Sequence, residues 1–258
     1  MNEKSREAFN AFMKDNRIFG FNRPRSPLFP ELREPNPPQK ALLDAWMNPQ
    51  YKVFTFTGGN RMGKTFIGSY LAISVMAGKW FFDQKKMVFP HDRPRKIRYV
   101  GQSWEGHVKA VIEPALKFWW PKFRPVETKK NNQGIEAYWK DNRTGSTLEI
   151  MSNVQDSAVF EGWDGDLVVY DEPPKREIRV ACARGLIDRQ GRELFCMTLL
   201  KEAWVHREVI KARLADGSPD LTIFNIDGKI YDNLGYGLTR EGIDQFAKTL
   251  TDDEKQAR

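Results

Sequence analysis

The stretch Gly58-Gly59-Asn60-Arg61-Met62-Gly63-Lys64-Thr65 constrains this chain more than any other. It fits G-x-x-x-x-G-K-[ST], a loop that wraps phosphate groups when a strand enters it and a helix leaves it. Both flanks are present. Lys52-Val53-Phe54-Thr55-Phe56-Thr57 predicts a buried strand, and residues 63–76 carry a helical apolar pattern. Glycines let backbone N–H groups converge on phosphate oxygens with no Cβ in the way. The helix N-terminus adds partial positive charge. On this reading residues 58–63 cradle the phosphates, Lys64 reaches the β- and γ-phosphates of ATP, and Thr65 ligates Mg²⁺.

The rest of the chain reads as alternating strands and helices. Ile97-Arg98-Tyr99-Val100-Gly101 is a second strand, and residues 104–118 form an amphipathic helix. Residues 135–140 and 146–151 predict a hairpin around Asp141-Asn142-Arg143-Thr144-Gly145. Asp166-Leu167-Val168-Val169-Tyr170-Asp171-Glu172 has the unbroken apolar run of a parallel strand buried on both faces. Residues 194–198 and 221–226 repeat that pattern, separated by helices at about 176–189 and 202–214. Such alternation predicts an α/β fold with a mostly parallel central sheet flanked by helices on both faces. Three parts are expected: an N-terminal helix and Pro-rich connector over 1–37, a P-loop core over 38–235, and a helical linker or subdomain over 236–258.

Composition narrows the partners. The net charge is +7 and the pI about 9.3, which favours a polyanion. Basic, aromatic stretches at 79–98 and 117–130 are candidate nucleic-acid contacts, or merely solvated basic faces. Cys182 and Cys196 lack C-x-x-C spacing, so neither a zinc site nor a disulfide framework is expected. There is no run of 18 apolar residues and no signal peptide, and a membrane role is not expected.

A loop that hydrolyses ATP needs one acid for Mg²⁺ and another for water. Asp171 and Glu172 end a buried strand, where open α/β sheets bind ligands. Asp171 is expected to hold the Mg²⁺ shell, and Glu172 to orient and deprotonate the attacking water. Thr198, ending the next strand, is either a sensor of the γ-phosphate or a cap. Gln39, after Pro37-Pro38, is either an adenine-edge contact or a solvent-exposed helix-start residue. Arg61 contacts the γ-phosphate, senses the nucleotide, or pairs with a nearby acid. Arg143, Arg176, Arg179, Arg184 and Arg189 are candidates for an arginine finger given to a neighbouring subunit, with Arg184 first and Arg143 next.

Taken together, these residues resemble the ATPase domain of a large terminase subunit, the DNA-packaging motor of tailed bacteriophages. Gln39 carries the likeness, with the loop and its internal Arg61, Val168-Val169-Tyr170-Asp171-Glu172, and Met197-Thr198-Leu199-Leu200-Lys201 with Trp204. Gln155-Asp156 and Phe160-Glu161-Gly162 also look family-like. The family usually has Thr-Pro or Thr-Thr after the coupling strand; here Leu199 follows, so coupling would rest on Thr198 alone.

The resemblance implies a RecA-like P-loop ATPase with an additional catalytic glutamate. It implies a ring of five subunits on a portal protein, fed by a small terminase subunit and translocating double-stranded DNA into a procapsid. The isolated chain would be a monomer, in the host cytoplasm. Gln39 would lie on the adenine side, Arg61 would sense the nucleotide, and Thr198 would link hydrolysis to DNA movement. The family's nuclease domain would follow where this chain ends, so ATP hydrolysis without DNA cleavage is expected. A P-loop helicase would share the chemistry but separate strands. A non-catalytic DNA-binding assembly protein would not need Lys64, Thr65, Asp171 and Glu172 intact.

Overall fold

Along β6 (Leu167–Asp171), Val168 and Tyr170 face one way and Leu167 and Val169 the other, and all four are fully buried. The same holds in β7 (Arg192–Met197), where Leu194 and Cys196 oppose Phe195 and Met197. Side chains alternate along a strand, so a run apolar on both faces needs a layer on each side. One layer is α1 (Pro37–Trp46), α2 (Lys64–Ala77) and α3 (Glu113–Trp119), docked through Leu42, Trp46, Ile67, Leu71 and Leu116. The other is α4 (Arg176–Gly185) and α5 (Ala203–Val205) with its π-helical continuation, His206–Ile210; Ile178, Cys182, Val205 and Val209 dock there. This computed structural model describes residues 35–78, 93–120, 124–198 and 203–249. The expected helix at 3–15, most of the Pro-rich connector, most of the basic stretch at 79–98 and residues 199–202 lie outside them, as does the end of the C-terminal helical segment.

Among the described residues the sheet has eight strands in the order β3-β4-β5-β2-β6-β7-β1-β8. From β5 (Thr147–Ser152) through β2 (Lys96–Gly101), β6, β7 and β1 (Val53–Gly58) to β8 (Ile223–Gly228), every pairing is parallel. β3 (Val126–Lys130) and β4 (Glu136–Asp141) add an antiparallel extension through the expected hairpin. The P-loop strand and the acidic strand flank β7. In register, Thr57 faces Met197 and Asp171 faces Cys196. The loop, Asp171-Glu172 and Thr198 therefore emerge at one edge, the carboxyl end of the sheet.

Three local differences from the sequence reading have physical causes. The helix expected over 104–118 is π-helical from Trp104 to Ile112 and α-helical afterwards. Pro114 has no N–H to donate to Ala110, and the bonding register changes just ahead of it. The strand β3 was not read at all, because an edge strand of sequence Val-Glu-Thr-Lys-Lys is mostly polar. It takes up part of the 117–130 basic stretch. The helix α4 stops short of 189, at Gly185, where the backbone bonds tighten to Leu186 N–H on Ala183 and Ile187 N–H on Arg184, and Gln190 then turns left-handed at φ 51°.

The far end of α2 is held by a buried ion pair. Arg124 bonds Asp141 through both Nε and Nη2, and its Nη2 also donates to the Ala77 carbonyl. Thr144 Oγ1 lies 3.0 Å from the Met76 carbonyl and 2.6 Å from Asp141. Burial alone would raise the Asp141 carboxyl, but hydrogen bonds from Arg124 and Thr144 and the guanidinium charge leave it below its ordinary 3.8. A carboxyl depressed in the folded state stabilises above its unfolded value, and that contribution is lost as pH falls through the folded value. The pair should therefore weaken only below about pH 4. Asp141→Asn strands the Arg124 charge and is expected to cost about 3–5 kcal/mol at neutral pH. Chemical denaturation at pH 7 and pH 3 checks this; the mutational cost should shrink at the lower pH.

Candidate nucleotide site

The site is built where β1 turns into α2. Gly58 has φ 146° and Gly63 φ 78°, backbone that L side chains rarely adopt. A Cβ on Gly58 would sit 2.3 Å from the Gly228 carbonyl oxygen, so only glycine lets β1 and β8 converge there. Arg61 takes φ 69° without being glycine. Residues 60–66 line one side of an open cleft of about 300 Å³; Val111 from the π-helical stretch, Ala115 from α3 and Glu172 line the rest.

Lys64 is buried, with Nζ 3.0 Å from the Gly58 carbonyl and 2.8 Å from that of Gly59. Burial lowers its pKa, against the pull of Glu172 and Asp171. The ammonium thus lies on the loop it would serve, partnered by neutral carbonyls.

Thr65 Oγ1 donates to Asp171 Oδ1 at 3.0 Å, and the Tyr99 hydroxyl to Asp171 Oδ2 at 3.0 Å. Burial pushes the Asp171 carboxyl up to about 7; the bonds from Thr65 and Tyr99 oppose the rise, and the charge of Glu172 adds to it. A hydroxyl and a carboxylate this close are hard oxygen donors of the kind Mg²⁺ takes. A divalent charge there would offset the burial that now disfavours the ionised form. The residues fit the metal.

Glu172 has φ 72°, a left-handed backbone that is costly for a long side chain. Its N–H donates to the Cys196 carbonyl at 2.9 Å. Its carboxylate accepts from the Thr198 N–H at 2.8 Å and from Thr198 Oγ1 at 3.2 Å. The expected water-activating and coupling residues thus touch directly, a contact that two strand ends do not announce in sequence.

Two further residues escaped the sequence reading. Tyr99, on β2, reads as a core aromatic, and its hydroxyl is hidden in a strand pattern. His107 lies on the π-helical stretch with Nε2 3.7 Å from Asp171 Oδ1, while Nδ1 accepts the Gln102 N–H. Burial holds the imidazole below its ordinary pKa despite the charge of Glu172, which works against an ion pair with Asp171. A lone histidine in an amphipathic helix gives no signal of this.

Gln39 is buried, and the reading of it as a solvent-exposed helix-start residue is corrected. It is the third residue of a capping box with Asn36, and its Nε2 lies 3.2 Å from the Gly63 carbonyl. Among the arginines, Arg184 pairs with Glu161 at 3.0 Å at the end of α4, Arg176 with Glu208 and Arg179 with Glu193. Arg189 pairs with Asp164 and Asp166 at the opposite edge of the sheet from the cleft. Arg143 sits in the β4–β5 turn. Any contact of these with a second subunit lies beyond a single chain. Among the described residues there is no cluster of three or more His, Cys, Asp or Glu able to hold a metal, and no helix long and apolar enough to cross a membrane.

A parallel sheet, a P-loop entering α2 and an acid pair one strand away define a RecA-like P-loop fold. Neither a protein-family model nor a curated protein sequence matches the chain. Solved structures do. Large terminase from a thermophilic bacteriophage aligns with a TM-score of 0.63 at 16% identity, over 86% of this chain and 52% of that one. The same protein in complex with ADP gives 0.63 at 16% identity, over 86% and 51%. Its complex with ATP-γ-S gives 0.60 at 17% identity, over the same shares. At this identity the likeness is one of fold: the chain has the fold of a large terminase and spans about half the length of those proteins. The resemblance read from its motifs and the likeness of its fold agree.

Proposed function

We propose that this chain is the ATP-hydrolysing motor domain of a viral large terminase, moving double-stranded DNA into a procapsid. One observation carries the reading. On a fold shared with a terminase that binds ADP and ATP-γ-S, Lys64, Thr65 and Glu172 line one cleft and Asp171 bonds Thr65 from beneath it.

In this mechanism the N–H groups of residues 60–65 and the start of α2 hold the phosphates. Lys64 leaves the Gly58 and Gly59 carbonyls for the β- and γ-phosphate oxygens. Thr65 and Asp171 would hold Mg²⁺, which when bound neutralises charge on the phosphates. Tyr99 fixes the Asp171 carboxylate through the oxygen that Thr65 does not use. Glu172 orients a water and takes its proton as the water oxygen bonds the γ-phosphorus and the bond from that phosphorus to the leaving ADP breaks. Its bonds to Thr198 connect that event to the end of β7, the route by which hydrolysis would reach DNA. The active assembly is a homo-oligomeric ring of five on a portal protein, supplied with DNA by a small terminase subunit, in the host cytoplasm. Arg184 or Arg143 would serve a neighbouring site, Arg61 would report the nucleotide, and Gln39 would border the adenine.

Phosphate release with Mg²⁺ and ATP tests the reading. Turnover should rise when double-stranded DNA is added, and DNA affinity should fall steeply between about 50 and 200 mM salt, as phosphate contacts dictate. ATP turnover that is absent even with DNA at high protein concentration would sink it. Strand separation by this chain would move it to the helicase class.

A further inference from the structure

Three amide side chains from outside the P-loop hold three consecutive carbonyls within it. Asn233 Nδ2 donates to the Arg61 carbonyl. Asn36 Nδ2 lies 3.2 Å from the Met62 carbonyl and 3.3 Å from Asn233 Oδ1. Gln39 Nε2 lies 3.2 Å from the Gly63 carbonyl. Asn36 and Asn233 are 1% and 2% exposed, so neither is a surface residue turned inward by chance. Asn36 and Gln39 come from the α1 cap, and Asn233 comes from a 3₁₀ turn, Ile230–Asn233, beyond the last strand.

The consequence comes from peptide planarity. A trans peptide aims its C=O and the next N–H in opposite directions. Holding the carbonyls of Arg61, Met62 and Gly63 on the side of Asn233, Asn36 and Gln39 would therefore turn the N–H groups of Met62, Gly63 and Lys64 the other way, toward the cleft those residues line. The Gly63 carbonyl also accepts the Ile67 N–H at 3.0 Å, so there Gln39 adds to a bond that α2 already makes. Arg61 at φ 69° is not a conformation it would hold unaided. Asn233 also anchors the turn that leads to α6 (Arg240–Ala247): its own carbonyl accepts from the Tyr236 and Leu238 N–H groups at 3.1 and 3.2 Å.

We propose that Asn233, acting with Asn36 and Gln39, is a positioning residue that presets the P-loop N–H groups for phosphate, and so links phosphate binding to the segment after β8. The inference rests on the reading of the loop as a nucleotide site. The linkage is reciprocal: a bound phosphate chain should steady residues 230–238 as much as they steady the loop.

The test is equilibrium binding of ADP and of inorganic tripolyphosphate to wild type, Asn233→Ala and Asn36→Ala, with thermal unfolding measured without ligand. Losing one such hydrogen bond should weaken both ligands by the same factor, about 5–10-fold, in a variant that still unfolds cooperatively. A general structural defect would show instead as loss of cooperative unfolding without ligand. If Asn233→Ala does not fold, Asn233→Ser and Asn36→Ala carry the same expectation. Wild-type affinity in the folded variants overturns the proposal, as does a loss for ADP that tripolyphosphate does not share. A wild type that binds neither ligand refutes instead the nucleotide reading beneath it. Hydrogen exchange gives the reciprocal readout: ADP should slow exchange across residues 230–238 in wild type and not in Asn233→Ala, and equal protection in both would refute the link.

Discussion

Glu172→Gln should lower ATP turnover by about a thousandfold and leave ADP affinity nearly unchanged, the range expected when a general base is removed. The substitution is chosen for what it keeps. Glutamine has the length of glutamate, and its amide oxygen can still accept the Thr198 N–H that now lies 2.8 Å from the carboxylate. The left-handed backbone at this position is retained. What goes is the ability to take a proton from water. The groups proposed for the phosphates and the metal, Lys64, Thr65 and Asp171, are untouched. Phosphate release beside an ADP titration measures the two quantities separately. Turnover at the wild-type rate would place the base elsewhere in the cleft. Parallel loss of binding would mean that Glu172 holds the loop rather than the water.

Lys64→Ala is expected to act on both quantities. The ammonium is the buried cation of the loop and lies beside the cleft, and removing a donor that stabilises developing charge costs about 100- to 1000-fold. ADP affinity and turnover should both fall by at least about 100-fold. Stability should move the other way or not at all. Burial works against the Lys64 charge, and its present partners are two neutral carbonyls, so the unliganded fold gains little from it. Titration calorimetry with ADP, beside thermal unfolding of the unliganded protein, separates the effects. A variant that binds ADP as wild type does would remove the phosphate role from Lys64. One that loses binding only because it unfolds would make Lys64 a structural residue. The pattern expected, weaker binding with an intact or firmer fold, is that of a group placed for its ligand.

Much of this was open to a reader of the sequence. The strand at 166–172 was legible because Leu167, Val168, Val169 and Tyr170 are all apolar, and only a strand covered on both faces needs that. The P-loop was legible because its glycines and Lys64 sit at a spacing that a tight, N–H-lined turn demands. The hairpin at 141–145 showed through its turn residues. The π-helical stretch was silent, since one apolar face fits both bonding registers. So was β3, whose polar composition suits an exposed edge as well as a loop.

Residue type and local period were enough to single out the residues of the candidate site, Gly58 to Thr65, Asp171, Glu172 and Thr198, which the fold brings to one end of the sheet. They were enough, too, for a parallel sheet with two helical layers. Both kinds of information are written in one dimension. Which side chains touch was left to the folding of the whole chain. Sheet order put β7 between the loop and the acids, so that Thr198 meets Glu172, and put β2 beside β6, so that Tyr99 reaches Asp171. It also carried Asn233 back across 172 positions to the carbonyl of Arg61. An asparagine in a turn looks the same whether it caps its own neighbours or a distant loop. The difference is made by where the folded chain returns, and no local pattern records that.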